Sequence, residues 1–225
     1  MKLKHGILIT GLLLLLNACY GGITGEVVDA ETGNPIQGAV VLVEWDMTKG
    51  LGLSYTTRYK VFETVTNGNG RFTLQGVFNP FVNPPNLVIY KKRYVAWREN
   101  FIFPEYKKRK DFQWKSGTVY RLERFKRGYS HSKHTSFFLS GISSLGTSSK
   151  LSQAYLWERQ QAMKEEDLYR KKLPSLKSGE KTGKQIWQEV IQELYFSKEY
   201  PESKTPIMGY GKSTGSNKEP VLQGN

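Results

Sequence analysis

The chain has 225 residues, one cysteine and a formal charge of +13, from 33 Lys and Arg against 20 Asp and Glu. A single cysteine excludes an intramolecular disulfide and any zinc or redox site of the CxxC kind. The length suits one core domain with appendages better than two full domains, and the positive balance predicts attraction to anionic surfaces without bearing on fold.

Lys2, Lys4 and His5 precede an apolar run of ten residues, Ile7 to Leu16. At 1.5 Å per helical residue the run falls well short of a hydrocarbon core of ~30 Å, so residues 1–18 read as a signal peptide rather than a membrane span. The run ends in Leu16-Asn17-Ala18-Cys19, which resembles the bacterial lipobox. That resemblance implies cleavage before Cys19 by a lipoprotein signal peptidase, then acyl transfer onto the Cys19 sulfur and the new amine. Residues 19–21 would be a lipidated tether, with the membrane as partner. Each buried CH₂ adds about 0.8 kcal/mol, so two or three chains anchor stably where one does not. Tyr20, in place of Asp after the cysteine, implies an outer-membrane destination in the cell envelope.

Two alternating apolar runs follow, Ile23–Val28 and Ala39–Trp45, separated by a segment rich in Thr, Gly, Asn and Pro. They read as two strands and a tight turn. Ser54–Thr66 alternates and is rich in β-branched and aromatic residues, a third strand. Asn67-Gly68-Asn69-Gly70 predicts a hairpin of type I′, after which Phe72 and Leu74 share a face. Phe78–Pro85 carries three prolines and must be a loop. Leu87–Tyr90 and Val119–Leu122 complete six or seven strands in about 100 residues, the span of a β-sandwich.

The order Gly25-x-Val27-x-Asp29-x-x-Thr32-Gly33-x-Pro35-Ile36-x-Gly38-Ala39-x-Val41, with Thr66–Leu74 and Leu87–Tyr94 downstream, resembles the carboxypeptidase regulatory-like (transthyretin-like) domain. The resemblance implies a mainly β fold, a Greek-key sandwich over residues 22–127, acting as a non-catalytic companion or sheet-edge interaction unit.

From Lys91 to Arg127 thirteen Lys and Arg stand against four acidic residues, with aromatics interleaved, among them Tyr94, Trp97, Phe101, Phe103, Tyr106, Phe112 and Trp114. Nucleic-acid binders show such a pattern, but an exported chain meets phospholipid head groups or anionic glycolipid instead, so no nucleic-acid partner is expected. Most aromatic rings are expected in the core. Trp97 and Trp114 are expected to be exposed, where they could contact a glycan; an envelope protein is the other partner class.

Residues 128–148 are serine-rich and read as a linker. Residues 149–200 read as a helical extension, with a polar helix from Ser149 to Leu173. Thr182 and Gln185 fit a capping box ahead of an amphipathic stripe, Ile186, Trp187, Val190, Ile191, Leu194 and Tyr195, expected to pack on its own domain. Residues 201–225 read as a disordered tail.

No catalytic motif emerges. The zinc pattern His-x-x-Glu of metallocarboxypeptidases is missing, as are G-x-S-x-G and the P-loop pattern. His131 and His134 could bring two imidazoles together, but with no carboxylate or cysteine close by in sequence they read as a surface pair. No enzyme activity, cofactor or metal is expected.

Overall fold

In the computed structural model, which describes residues 19–20, 22–50, 53–145 and 149–196, the alternating runs become strands and the 3.6-residue patterns become helices. The strands are β1 (Cys19–Tyr20), β2 (Ile23–Asp29), β3 (Val40–Lys49), β4 (Tyr55–Val65), β5 (Arg71–Leu74), β6 (Val77–Phe78), β7 (Asn86–Tyr90), β8 (Trp97–Arg98), β9 (Phe101–Ile102), β10 (Lys107–Lys108) and β11 (Thr118–Leu122). Three helices follow: α1 (His131–Leu139), α2 (Ser149–Lys177) and α3 (Gly183–Phe196). One sheet has the order β11-β2-β5, with β11 parallel to β2; the other has the order β4-β3-β7-β8. Short antiparallel pairs, β1 with β6 and β9 with β10, flank them.

The two sheets enclose one core. Val27, Phe72, Tyr120 and Leu122 from the first meet Val41, Val43, Trp45 and Ile89 from the second. The architecture is therefore a sandwich-like pair of β-sheets followed by three helices. Residues 30–39 carry the chain from one sheet to the other, so the two opening strands do not pair with each other.

A second core lies on the outer face of the four-stranded sheet. Val40 and Leu42, which alternate with Val41 and Val43 along β3, are buried there together with Val88, Tyr90, Phe137, Phe138, Leu151 and Tyr155. A strand covered on both faces carries a continuous apolar run, and Val40-Val41-Leu42-Val43 is one. Each such side chain contributes on the order of 1.5–3 kcal/mol when removed from water, so α1 and α2 form a third layer of the fold.

That layer corrects the reading of residues 128–148 as a linker. The segment holds α1, capped by Ser130, whose hydroxyl accepts from the Lys133 amide, and it buries Phe137 and Phe138 completely. Two adjacent phenylalanines amid seven serines give weak average hydropathy, yet both are buried and Phe138 packs on the Tyr90 ring. The 67–70 turn also departs from type I′: only Gly70 of its four residues has positive φ, and Asn67 Oδ1 accepts from the amides of Asn69 and Arg71. It joins strands of different sheets.

The capping box forms as expected, with the Gln185 amide donating to Thr182 Oγ1 at 3.3 Å and the Thr182 amide to Gln185 Oε1 at 2.8 Å. Ile186 and Val190 are buried, and Trp187 stacks on Tyr169 of α2 with ring centroids 4.6 Å apart. The signal-peptide segment 1–18, the whole of the proposed tail, residues 201–225, and the side chain of Cys19 lie outside the described residues. Among the described residues no helix is long and apolar enough to cross a membrane.

Candidate functional site

On α2 the buried positions are Leu151, Tyr155, Glu158, Ala162 and Glu165, a 4-3-4-3 spacing that forms one seam. Two of the five are carboxylates, and both meet α1. Glu158 Oε1 lies 2.5 Å from His131 Nδ1 and 3.0 Å from His134 Nδ1, and Glu158 Oε2 accepts from the Tyr90 hydroxyl at 3.2 Å. His131 and His134, three apart on a helix, present their rings to the same side. They are buried, which corrects the expectation of a surface pair, and their carboxylate comes from 24 residues downstream of His134.

The far side of the His134 ring settles its tautomer. Its Nε2 accepts a hydrogen bond from the Ala96 amide at 2.8 Å. An amide can only donate, so Nε2 is bare and the ring proton sits on Nδ1, directed at Glu158. Burial pushes the His134 pKa below its ordinary value. Burial alone would raise the Glu158 carboxyl, but the hydrogen bonds from His131 and His134 outweigh it and bring the pKa down to about 2. The His131 ring lies flat on Phe125, with centroids 4.4 Å apart.

Seven residues along the seam, Glu165 receives the amides of His131 and Ser132 at 2.6 and 3.0 Å and the Ser130 hydroxyl at 2.6 Å. It thus binds the N-terminus of α1, where an anion is favoured by the orphan amides and the helix dipole, although burial raises its own pKa. Glu63 of β4 does the same for α2, accepting from the amides of Lys150 and Leu151 at 3.2 and 3.0 Å. Between the helices, Glu44 of β3 accepts from the Ser143 amide at 3.1 Å and from its hydroxyl, while Arg58 donates to the Ser143 carbonyl.

A carboxylate between two imidazoles has the parts of a general acid–base centre. Here His134 and Glu158 have no solvent-exposed surface, and their polar atoms are taken up by one another, by His131 and Tyr90, and by the Ala96 amide. What the arrangement does chemically is to hold α1, α2 and β7 in register. Among the described residues no group of three or more His, Cys, Asp or Glu is disposed to hold a metal ion.

The expectation that Trp97 is exposed is also corrected, since it retains 7 % of its surface. Phe112 and Tyr120 meet it edge-on at 5.0 and 4.9 Å, and the Arg109 guanidinium covers its face at 4.5 Å. Trp114 is half-buried against Phe112. The basic belt is divided likewise: Arg98 is buried and donates to the Phe137 carbonyl at 2.7 Å, whereas Lys107 and Lys108 are exposed.

Asp29 has a local role. Asp29 Oδ1 accepts from the amides of Glu31 and Thr32, and Oδ2 from Tyr94 and Arg124. Burial opposes its charge, but these hydrogen bonds prevail and lower its pKa to about 2.

No family model and no curated protein matches the chain. Among solved structures it is similar to a streptococcal ancillary pilin, with 18 % identity over 46 % of this chain and 29 % of that one, and a TM-score of 0.24. It is also similar to a 9R-lipoxygenase from Cyanothece PCC8801, with 17 % identity over 51 % of this chain and 18 % of that one, and a TM-score of 0.26. The chain thus spans less than a third of the length of either.

Proposed function

We propose that this chain is a non-catalytic, lipid-anchored protein of the bacterial cell envelope, whose Greek-key, transthyretin-like sandwich serves binding or structural assembly. The observation that carries the non-catalytic part is the closed imidazole–carboxylate cluster. Its acid–base groups join helices to a sheet, and His134 and Glu158 present no exposed surface. The anchor rests on Leu16-Asn17-Ala18-Cys19, and two or three acyl chains at Cys19 supply stable membrane attachment. The partner is an envelope protein, met through the sandwich surface.

The test is fractionation of the producing bacterium followed by mass analysis of the N-terminal peptide. The native protein is expected in the membrane fraction with Cys19 as its acylated first residue. Cys19→Ala is expected to retain the leader and carry no acyl chain. Wild-type protein in the cytosol with residues 1–18 intact overturns the reading. Crosslinking in the intact envelope then identifies the partner.

A further inference from the structure

The entry strand and an exposed aromatic loop lie side by side. β1 pairs antiparallel with β6, in the register Cys19 to Phe78 and Tyr20 to Val77. Residues opposed in this way have Cα atoms about 4.5–5.5 Å apart, so wherever the Cys19 backbone sits, Phe78 sits beside it.

Phe78 and Phe81 are 75 % and 76 % exposed, while Val77 and Val82 on either side are buried in the sandwich core. The loop between them is held by its own bonds. Asn79 Oδ1 accepts from the Phe81 amide at 2.9 Å, the Asn83 amide donates to the Asp46 carbonyl at 2.8 Å, and Pro80, Pro84 and Pro85 restrict the backbone. Two large rings are therefore presented to solvent on a pinned loop. Isolated exposed apolar residues are common, but a pair beside the chain's entry strand forms a directed patch.

We propose that Phe78 and Phe81 form a second membrane contact, inserting at the lipid head-group boundary next to Cys19 and fixing the domain's orientation on the bilayer. The inference rests on the reading of Cys19 as the anchored residue and deepens it. An acyl chain alone leaves the domain free to tilt. Phe78, paired with the Cys19 backbone, and Phe81, three residues further along the same loop, add apolar area beside the tether, and aromatic side chains favour the head-group level. Two lysines also lie at this end of the sandwich: Lys49, at the end of β3 whose Asp46 holds the loop, and Lys115, beside the Thr24–Ser116 hydroxyl pair at the start of β2. More basic side chains, Lys91 and Arg124 among them, group near Gln37 and Asp29, so the aromatic pair beside Cys19 and not charge carries the orientation. The Asp29 turn is at the opposite end of β2, facing away from the bilayer.

The test uses full-length protein isolated from its own membranes and reconstituted in vesicles of phosphatidylethanolamine and phosphatidylglycerol containing spin-labelled lipid. Phe81→Trp places a fluorophore in the loop; Gln37→Trp places one at the far end. The wild type supplies the background, and mass analysis of the N-terminal peptide on the same sample reports acylation. Strong quenching at position 81 and weak quenching at 37 is the expected result. An acylated sample with equal, weak quenching at both positions overturns the membrane contact and leaves the anchor standing. A sample without acyl chains that is still quenched at 81 supports the contact and removes the anchor. In that unacylated case Phe78→Ser and Phe81→Ser should each weaken vesicle binding about tenfold. No acyl chain and no quenching overturns both.

Discussion

The Ala96 amide and the His134 Nε2 cannot both carry a proton on the 2.8 Å line that joins them. Protonating the imidazole would set two donors against each other inside a core that water does not reach. The folded state thus resists a proton that the unfolded chain accepts at the ordinary histidine value of 6.5.

The pH dependence follows. A group whose folded pKa is depressed contributes stability above its unfolded pKa and loses it as pH falls. For His134 that loss begins near pH 6.5 and approaches about 1.4 kcal/mol per pH unit below it. Glu165, raised by burial, acts in the opposite sense at lower pH. Urea midpoints at pH 7.5 and 5.5 should therefore fall for the wild type, and fall less for His134→Asn. Equal slopes in the two proteins would contradict the assigned tautomer.

Glu158 provides the next prediction. Glu158→Leu removes the shared acceptor of two imidazoles and a tyrosine, and breaking a buried charged network in this way costs about 3–5 kcal/mol. Removing the network whole is gentler. His131→Phe with His134→Leu and Glu158→Leu should recover part of that loss, because the Ala96 amide is left without its acceptor and the Tyr90 hydroxyl without Glu158, each at a penalty of about 1–3 kcal/mol. Chemical denaturation of the single and triple variants checks the order.

The sheets were legible because their signals are local. Val41, Val43 and Trp45 alternate, Asn and Gly mark the turns, and the Thr182–Gln185 box names its own helix. The helical layer was not, because its signals are divided between distant segments. Glu158 and Glu165 interrupt the Leu151–Tyr155–Ala162 seam, so α2 reads as polar until α1 is known to supply the ring nitrogens and amide donors. His131 and His134 show their three-residue spacing, but the carboxylate lies beyond a loop and three turns into the next helix. The one local hint was β3, whose residues Val40–Val43 are apolar on both faces and therefore require two covers. Trp97 is covered because Arg109, twelve residues on, lays its planar head on the ring, a contact that no local pattern announces.

Gly25 and Gly68 should separate by mechanism. A Cβ on Gly25 would lie 2.6 Å from Tyr120 Cε2 and 2.7 Å from Phe72 Cζ, inside the packed core, whereas one on Gly68 would meet nothing within 4 Å. Gly25→Ala is expected to cost about 1–3 kcal/mol by overpacking. Gly68→Ala, free of contacts and without positive φ, should stay within about 0.5 kcal/mol of wild type. Thermal unfolding of the two variants makes the comparison.

Truncation distinguishes a layer from an appendage. A chain ending at Arg127 keeps every strand yet uncovers Val40, Leu42, Val88 and Tyr90 on the outer face of the four-stranded sheet. It also leaves Glu44 without Ser143 and Glu63 without the α2 amides. Such a face exposes more contiguous apolar surface than soluble domains tolerate, so this truncation should aggregate or bind hydrophobic dye without a cooperative transition. A chain ending at Gly179 loses α3 but retains α1, α2 and the imidazole–carboxylate cluster. It sacrifices Ile186, Val190 and the Trp187–Tyr169 stack, and it should fold cooperatively with a lower midpoint. If instead residues up to Arg127 alone give a soluble protein with a sharp transition, the helices are dispensable to the sandwich, and the cluster at Glu158 holds together a separate unit.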